Sequence, residues 1–351
     1  MDSDTEPSSF VFEGGEVPPG ETEHVWFPVS ETYLGEPVTT PVTVINGARA
    51  GPTVFLTAAV HGDELNGVEV VREVAREWDH DGICGTLVCL PVVNTLGFVT
   101  QQRYLPVQER DLNRAFPGKA GSTGAKRIAH RLYENFLSQC DFGLDFHTST
   151  RGRTNMFHVR ADMSDDAVAR LARAFGSNMI LDTDGSEGML RRELSEAGVP
   201  TITVEMGQAH RFERRLIDHA LDGVESVFAE YEIYPTEDVR WPGWRTVISG
   251  WEDKTWLRAD VGGLVEVHAD RGALVAEGDR ICTITNPFKT EKTVVEAPFG
   301  GVVVGVLENP VVSPGNPLCH LANVDDNVRR AIELHRSQPS PAGGDVPAAE
   351  E

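Results

Sequence analysis

Four stretches of this chain carry side chains that could act on one substrate: His61-Gly62-Asp63-Glu64, Asp111-Leu112-Asn113-Arg114, His147 and Glu205. His61 and Glu64 follow an apolar run from Val54 to Val60. His147 ends the run that begins at Phe142, and Glu205 ends the run that begins at Val199. Two imidazoles and one carboxylate form the ligand set of a catalytic zinc that keeps its fourth position open for water. Such a metal lowers the pKa of water and polarises a carbonyl. His61 and Glu64, three apart, reach one ion only if the chain turns between them, and Gly62, with no Cβ, permits the turn. His147 is expected at the carboxyl end of a strand, where open α/β sheets bind their ligands. HxxE alone is a weak pattern. Its weight comes from three polar groups standing at the ends of three apolar runs.

The neighbouring polar residues complete the set. Asp111 is the candidate to hold the non-metal nitrogen of His61, and Asp145 is a second candidate beside His147. A carboxylate after an apolar strand is costly to bury without a task. Glu205 is therefore expected to act as general base towards water and then as acid towards a leaving amine. Asn113 and Arg114, adjacent in one loop, suit a clamp on a substrate carboxylate. Arg103 is placed to stabilise an oxyanion. Together these residues point to a metallohydrolase that acts on an amide.

In these segments the chain resembles the succinylglutamate desuccinylase/aspartoacylase family of zinc amidohydrolases, itself similar to the zinc carboxypeptidases. The matching segments are HGDE (61–64), PVVNTLGF (91–98), Arg103 to DLNRAFPG (111–118), DFHT (145–148) and VEMG (204–207). The resemblance covers the chain between about residues 50 and 230. It implies a carboxypeptidase-like α/β fold, a mixed sheet with helices on both faces. It also implies one zinc per chain, held by His61, Glu64 and His147. By the same resemblance Glu205 is the catalytic carboxylate and Arg103 polarises the carbonyl. Asn113 and Arg114 clamp the substrate carboxylate, and Asp111 supports the zinc-bound His61. The implied reaction is hydrolysis of the amide of a small N-acyl amino acid. A carboxypeptidase acting on peptides is the nearest alternative, and a non-catalytic zinc-binding relative is another. The tyrosines and extra arginine that shape substrate choice in aspartoacylases have no counterpart in the sequence, and Asp63 has no assigned role.

Composition narrows the setting. Asp and Glu outnumber Lys and Arg by 54 to 31, for a net charge of −23, and only five of the basic residues are lysines. A hydrated acidic surface with little lysine is expected of a protein adapted to high salt; in dilute buffer the same charge repels itself. It argues against nucleic acid, which requires a basic face, and against an anionic membrane. The start MDSDTEPSSF lacks the basic and apolar segments of a signal peptide, and no apolar run approaches bilayer length. Five cysteines without CxxC spacing read as small core residues in a reducing cytoplasm. Oligomeric state is not written in the sequence, and a symmetric dimer is only the common default among homo-oligomers.

The elements that must position these residues follow from the pattern. Strands are predicted near 53–60, 85–92, 141–147, 155–160 and 199–205. Helices are predicted near 65–78, 122–138, 164–175, 187–197 and 211–230. Apolar strands alternating with helices imply a sheet covered on both faces. Short runs before residue 50 are expected to pair at its edge. Residues 94–121 read as a long functional loop. The expected division is a hydrolase domain over 1–235, a linker over 236–244 and a small all-β domain over 245–323. A short helix and a disordered acidic tail fill 324–351. The β domain resembles the barrel-sandwich of biotinyl and lipoyl carriers. The position of the modified lysine, however, falls on Thr290, with Lys289 one place off. A one-residue slip turns a side chain to the other face, so no prosthetic group is expected.

Overall fold

The computed structural model describes residues 6–76, 78, 80–106, 109–234, 245–248 and 253–337. The expected linker over 236–244 and the tail from 338 onward lie outside the described residues.

Strands rich in Val, Leu, Ile and Phe build the centre of a large mixed sheet of thirteen strands among the described residues. Cys84–Leu90, Arg49–Ala58, Phe142–Ser149 and Thr201–Gln208 lie side by side and parallel. Arg153–Ala161 then pairs antiparallel with Thr201–Gln208. On the other flank Pro37–Asn46 runs antiparallel to Cys84–Leu90 and carries the edge strand Glu21–Glu31. These two strands are longer than the short runs expected before residue 50.

Side chains alternate across the sheet, as strand geometry requires. Val54, Leu56, Ala58, Leu144, Phe146, Val159, Ile202 and Val204 face one core. The helices Asn66–Arg76, Asp166–Phe175 and Arg214–Glu230 cover that face through Val70, Val74, Leu171, Val224 and Phe228. Phe55, Val88 and Leu90 face the opposite core, closed by the helices Gly124–Asn135 and Leu190–Glu196. All eight residues of Phe142–Ser149 are buried. His147 and Glu205 stand towards the carboxyl ends of the parallel strands Phe142–Ser149 and Thr201–Gln208.

The region expected as one loop holds two short helices, Thr95–Val99 and the 3-10 turn Leu112–Arg114. Asn94 caps the first by accepting from Gly97 N. A strand with no sequence signal, Met179–Asp182, pairs with Arg153–Ala161.

The C-terminal β unit is continuous with the large sheet. Thr246–Ile248 pairs parallel with Met179–Asp182, and Gly301–Leu307 pairs antiparallel with Arg153–Ala161. Pro317–Asn323 and Lys254–Arg258 extend the same sheet. Four other strands, Gly263–Val267, Arg280–Thr285, Lys292–Glu296 and Val311–Val312, form a separate antiparallel sheet. Ile281, Val303, Cys319 and Leu321 belong to one apolar cluster of this unit, and Cys282, Ile284 and Leu318 to a second. All five cysteines are free. No helix among the described residues is long and apolar enough to cross a membrane.

Candidate metal centre and its pocket

Register brings the site together. Asp145 pairs with Thr57 on one side and Thr203 on the other, and Thr203 pairs with Arg160. Two residues on, His147 pairs with Glu205, and Glu205 pairs with His158. Paired residues share a face, so three adjacent strands present His147, Glu205 and Arg160 to one side of the sheet. His61 and Glu64 follow the end of Arg49–Ala58, where Glu64 N donates to His61 O at 3.2 Å. Gly62 is required there by close packing. A Cβ would lie 2.0 Å from the Gly97 carbonyl carbon in the Thr95–Val99 helix.

His61 Nδ1 and His147 Nδ1 each lie 2.9 Å from a Glu64 oxygen, and they lie 3.1 Å from one another. The other nitrogen of each ring is engaged: His61 Nε2 meets Asp111 Oδ1 at 3.2 Å, and His147 Nε2 meets Asp145 Oδ2 at 2.8 Å. Carboxylates set against both Nε2 atoms turn both Nδ1 atoms inward, where each offers a lone pair once its ring is neutral. Two nitrogen acceptors and a carboxylate then converge, with ligand atoms all within 4.8 Å of one another. Such a set repels itself unless a cation fills it, so the residues fit a metal ion.

The surroundings support that arrangement. Thr148 N donates to Glu64 Oε2 at 3.0 Å and Arg103 Nη1 to Oε1 at 2.8 Å. Burial would push the Glu64 carboxyl up, but the His61 and His147 imidazoles hold it well below the usual range. Burial would likewise push His147 down, but Asp145 and Glu64 raise it well above an ordinary histidine, so a metal ion binding at Nδ1 must displace a proton from that ring. Asp111 both caps the turn, accepting from Asn113 N at 2.9 Å, and orients His61. Burial opposes its ionisation, yet the His61 contact and Arg103 bring it down to about 2. Asp145, fully buried, is fixed by Thr57 Oγ1 at 2.8 Å.

His61, Glu64, Arg103, Asn113, Arg114, His147 and Glu205 line one cavity of about 170 Å³, with Asp111 behind His61. Asn113 Oδ1 accepts from Leu190 N at 2.8 Å, which fixes the loop to the Leu190–Glu196 helix. Arg114 Nη1 donates to the Asn113 carbonyl at 2.6 Å. Arg103 leans on Glu64 and stands 3.7 Å from Asp111 Oδ2.

Sequence reasoning missed several residues of this cavity: Arg153, Asn155, Arg160, Arg191 and Trp256. Glu205 Oε1 accepts from Arg160 Nε, and Oε2 from Asn155 Nδ2, both at 3.0 Å. Arg191 is almost fully buried and donates to Thr183 O; burial brings it down to about 10. Trp256 comes from the C-terminal unit, stacked on His320 at 4.6 Å, with the Arg153 guanidinium 5.5 Å from its ring centre. A usable signal lay in the 155–160 strand. His158 and Arg160 alternate there with Phe157 and Val159, which gives a predicted strand a polar face.

The model of the succinylglutamate desuccinylase/aspartoacylase catalytic domain matches residues 50–231. The chain is 22% identical over 299 residues to the N-alpha-acetyl-L-2,4-diaminobutyric acid deacetylase of Halomonas elongata, covering 82% of this chain and 86% of that protein. Among solved structures, a succinylglutamate desuccinylase from Silicibacter sp. TM1040 superposes with a TM-score of 0.80 at 25% identity, over 92% of this chain and all of that one. The product-bound ectoine utilization protein EutE (DoeB) from Ruegeria pomeroyi gives a TM-score of 0.78 at 23% identity, with coverage of 92% and 100%.

Proposed function

Since the chain belongs to the succinylglutamate desuccinylase/aspartoacylase family, we propose that it hydrolyses the amide bond of an N-acyl amino acid with one zinc ion, releasing a carboxylate and the free amino acid. The observation that carries this reading is the placement of Glu205 beside His147 in register, in the cavity that holds the three converging ligand atoms. A donor set of two imidazoles and one carboxylate suits zinc. When bound, zinc supplies Lewis acidity that polarises the amide carbonyl and makes water easier to deprotonate.

The chain's own groups do the rest. Glu205 accepts a proton from the attacking water and returns it to the departing amine nitrogen. Arg103 supplies positive charge to the carbonyl oxygen as it becomes tetrahedral. Asn113 and Arg114 bind the carboxylate of the amino-acid part, since a planar guanidinium matches a carboxylate with parallel hydrogen bonds. Asp111 and Asp145 keep the Nδ1 lone pairs of His61 and His147 turned inward.

The cavity also speaks to the substrate. At about 170 Å³ it is smaller than the ~300–1,000 Å³ of sites for drug-sized ligands, which favours a small acyl amino acid over a peptide. Five arginines and two carboxylates line it, and one of those carboxylates, Glu64, belongs to the metal set. Such a pocket favours anionic acyl amino acids. Nα-acetyl-diaminobutyrate, the compound named for the Halomonas relative, carries a side-chain ammonium and is the contrasting probe.

The test is amine release from a panel of N-acetyl and N-succinyl amino acids, in molar KCl with zinc, beside Glu205→Ala. The reading expects hydrolysis of at least one member, and a loss of several orders of magnitude in Glu205→Ala with zinc content intact. Full turnover in that variant would remove Glu205 as the base. No release from any member by a zinc-loaded protein would overturn the assignment.

A further inference from the structure

Between the strand of Glu205 and the C-terminal β unit lies one strand, Arg153–Ala161, which pairs with both. Gly305, in the strand Gly301–Leu307, lies opposite Asn155. A Cβ on Gly305 would fall 2.5 Å from Asn155 Oδ1, so the Asn155 amide rests directly over the glycine. From there Nδ2 donates to Glu205 Oε2, while Arg160 Nε donates to Oε1. Both carboxylate oxygens are thus held from one strand. A further contact from the C-terminal unit braces that strand: Arg271 donates to Thr154 Oγ1 at 2.6 Å and to Asn155 O at 3.4 Å. Arg271 is anchored in turn by Glu213, whose Oε1 accepts from Gln208 N at the end of the Glu205 strand.

A glutamate side chain has three rotatable bonds, and a general base must stand within hydrogen-bond reach of the proton it takes. A displacement of about 1 Å can cost about 100-fold in rate. We propose that the C-terminal β unit sets the position of the catalytic carboxylate, with Gly305 seating Asn155 and Asn155, together with Arg160, holding Glu205. Asn155 and Gly305 are positioning residues, acting through Glu205. The inference rests on the reading of Glu205 as base.

It is tested on the zinc-loaded full chain, with the fastest substrate of the panel. The variants are Gly305→Ala, Asn155→Asp, Asn155→Ala, the Gly305→Ala/Asn155→Ala double variant, and Glu205→Ala. Asn155→Asp keeps the shape over Gly305 but sets a carboxylate against a carboxylate, so it carries the test should Gly305→Ala fold poorly. Expected is a kcat lower by about 10- to 100-fold in each single positioning variant, with KM within about twofold. Zinc affinity by chelator competition should be unchanged, and crystal structures should show the Glu205 carboxylate displaced. Gly305→Ala should add no further loss to Asn155→Ala, because its effect passes through that side chain. A raised KM at unaltered kcat would assign Asn155 to substrate binding and overturn the proposal, as would unaltered kinetics. Loss in Glu205→Ala with normal Gly305→Ala and Asn155→Asp sinks this inference alone. Activity retained in Glu205→Ala sinks the proposed function with it.

Discussion

His61 and His147 turn their Nδ1 atoms towards each other across 3.1 Å, while the Nε2 atom of each ring is held by a different aspartate. Asp111 and Asp145 therefore decide which nitrogen of each ring would face a metal ion. Replacing either with alanine frees its ring to rotate or to change tautomer. Zinc affinity, measured by chelator competition, should fall about 10- to 100-fold in Asp111→Ala and in Asp145→Ala. Unchanged affinity in both would show that the rings are held by packing alone.

With three acceptors converging, a bound metal ion is expected to stabilise the folded state. Zinc at 100 times its Kd should add about 2.7 kcal/mol to unfolding stability, and chelation should remove it. In His147→Ala the set loses a ligand, and most of that gain should vanish in denaturant melts run with and without zinc. An equal gain in the variant would place the metal elsewhere.

Arg114 is half-exposed at the rim, and its nearest carboxylate oxygen, Asp111 Oδ2, is 4.0 Å away. Its guanidinium is thus available to a ligand. A charge-assisted hydrogen bond contributes about 1.5–3 kcal/mol, which corresponds to a KM raised about 10- to 100-fold in Arg114→Ala with kcat little changed. A fall in kcat at constant KM would move Arg114 from substrate binding to transition-state stabilisation.

His158 is fully buried, and that burial, with Arg160 nearby, pushes it down to about 3 from an ordinary 6.5. Below 6.5 the unfolded chain takes up a proton there that the folded chain refuses. Stability from this group is therefore full above about pH 6.5 and is lost as pH falls towards 3. Between pH 6.5 and 5.5 the native protein should lose about 1 kcal/mol more than His158→Gln, read from urea melts at the two pH values. Identical pH slopes would mean that His158 titrates freely.

A net charge of −23 on 351 residues should make folding depend on salt. Expected is a rise in refolding yield and melting temperature with KCl concentration, as counterions screen the carboxylates. Full stability and activity in dilute buffer would end the reading of salt adaptation.

Much of the hydrolase sheet was legible because its strands are apolar runs and its helices carry an apolar stripe. Arg49–Ala58, Phe142–Ser149 and Thr201–Gln208 fall where the predicted runs lie. The sequence places polar groups at the ends of those runs, and the structure gathers His61, Glu64, His147 and Glu205 about one cavity. Met179–Asp182 escaped notice because four residues carry too little periodicity to register. The C-terminal strands read correctly as short β elements, yet half of them continue the large sheet, since pairing partners far apart in sequence leave no local trace.

What the sequence by itself determined is the set of chemical groups and the side of each element they occupy. Residue type and a period of two or 3.6 are local properties, written within a few positions of each side chain. What only the tertiary structure decided is which groups meet. The grip of Asn155 and Arg160 on Glu205, the room left by Gly305 and the Trp256 wall depend on strand order and register. Those are settled by packing between distant segments, where a slip of one residue would turn every one of these side chains to the opposite face.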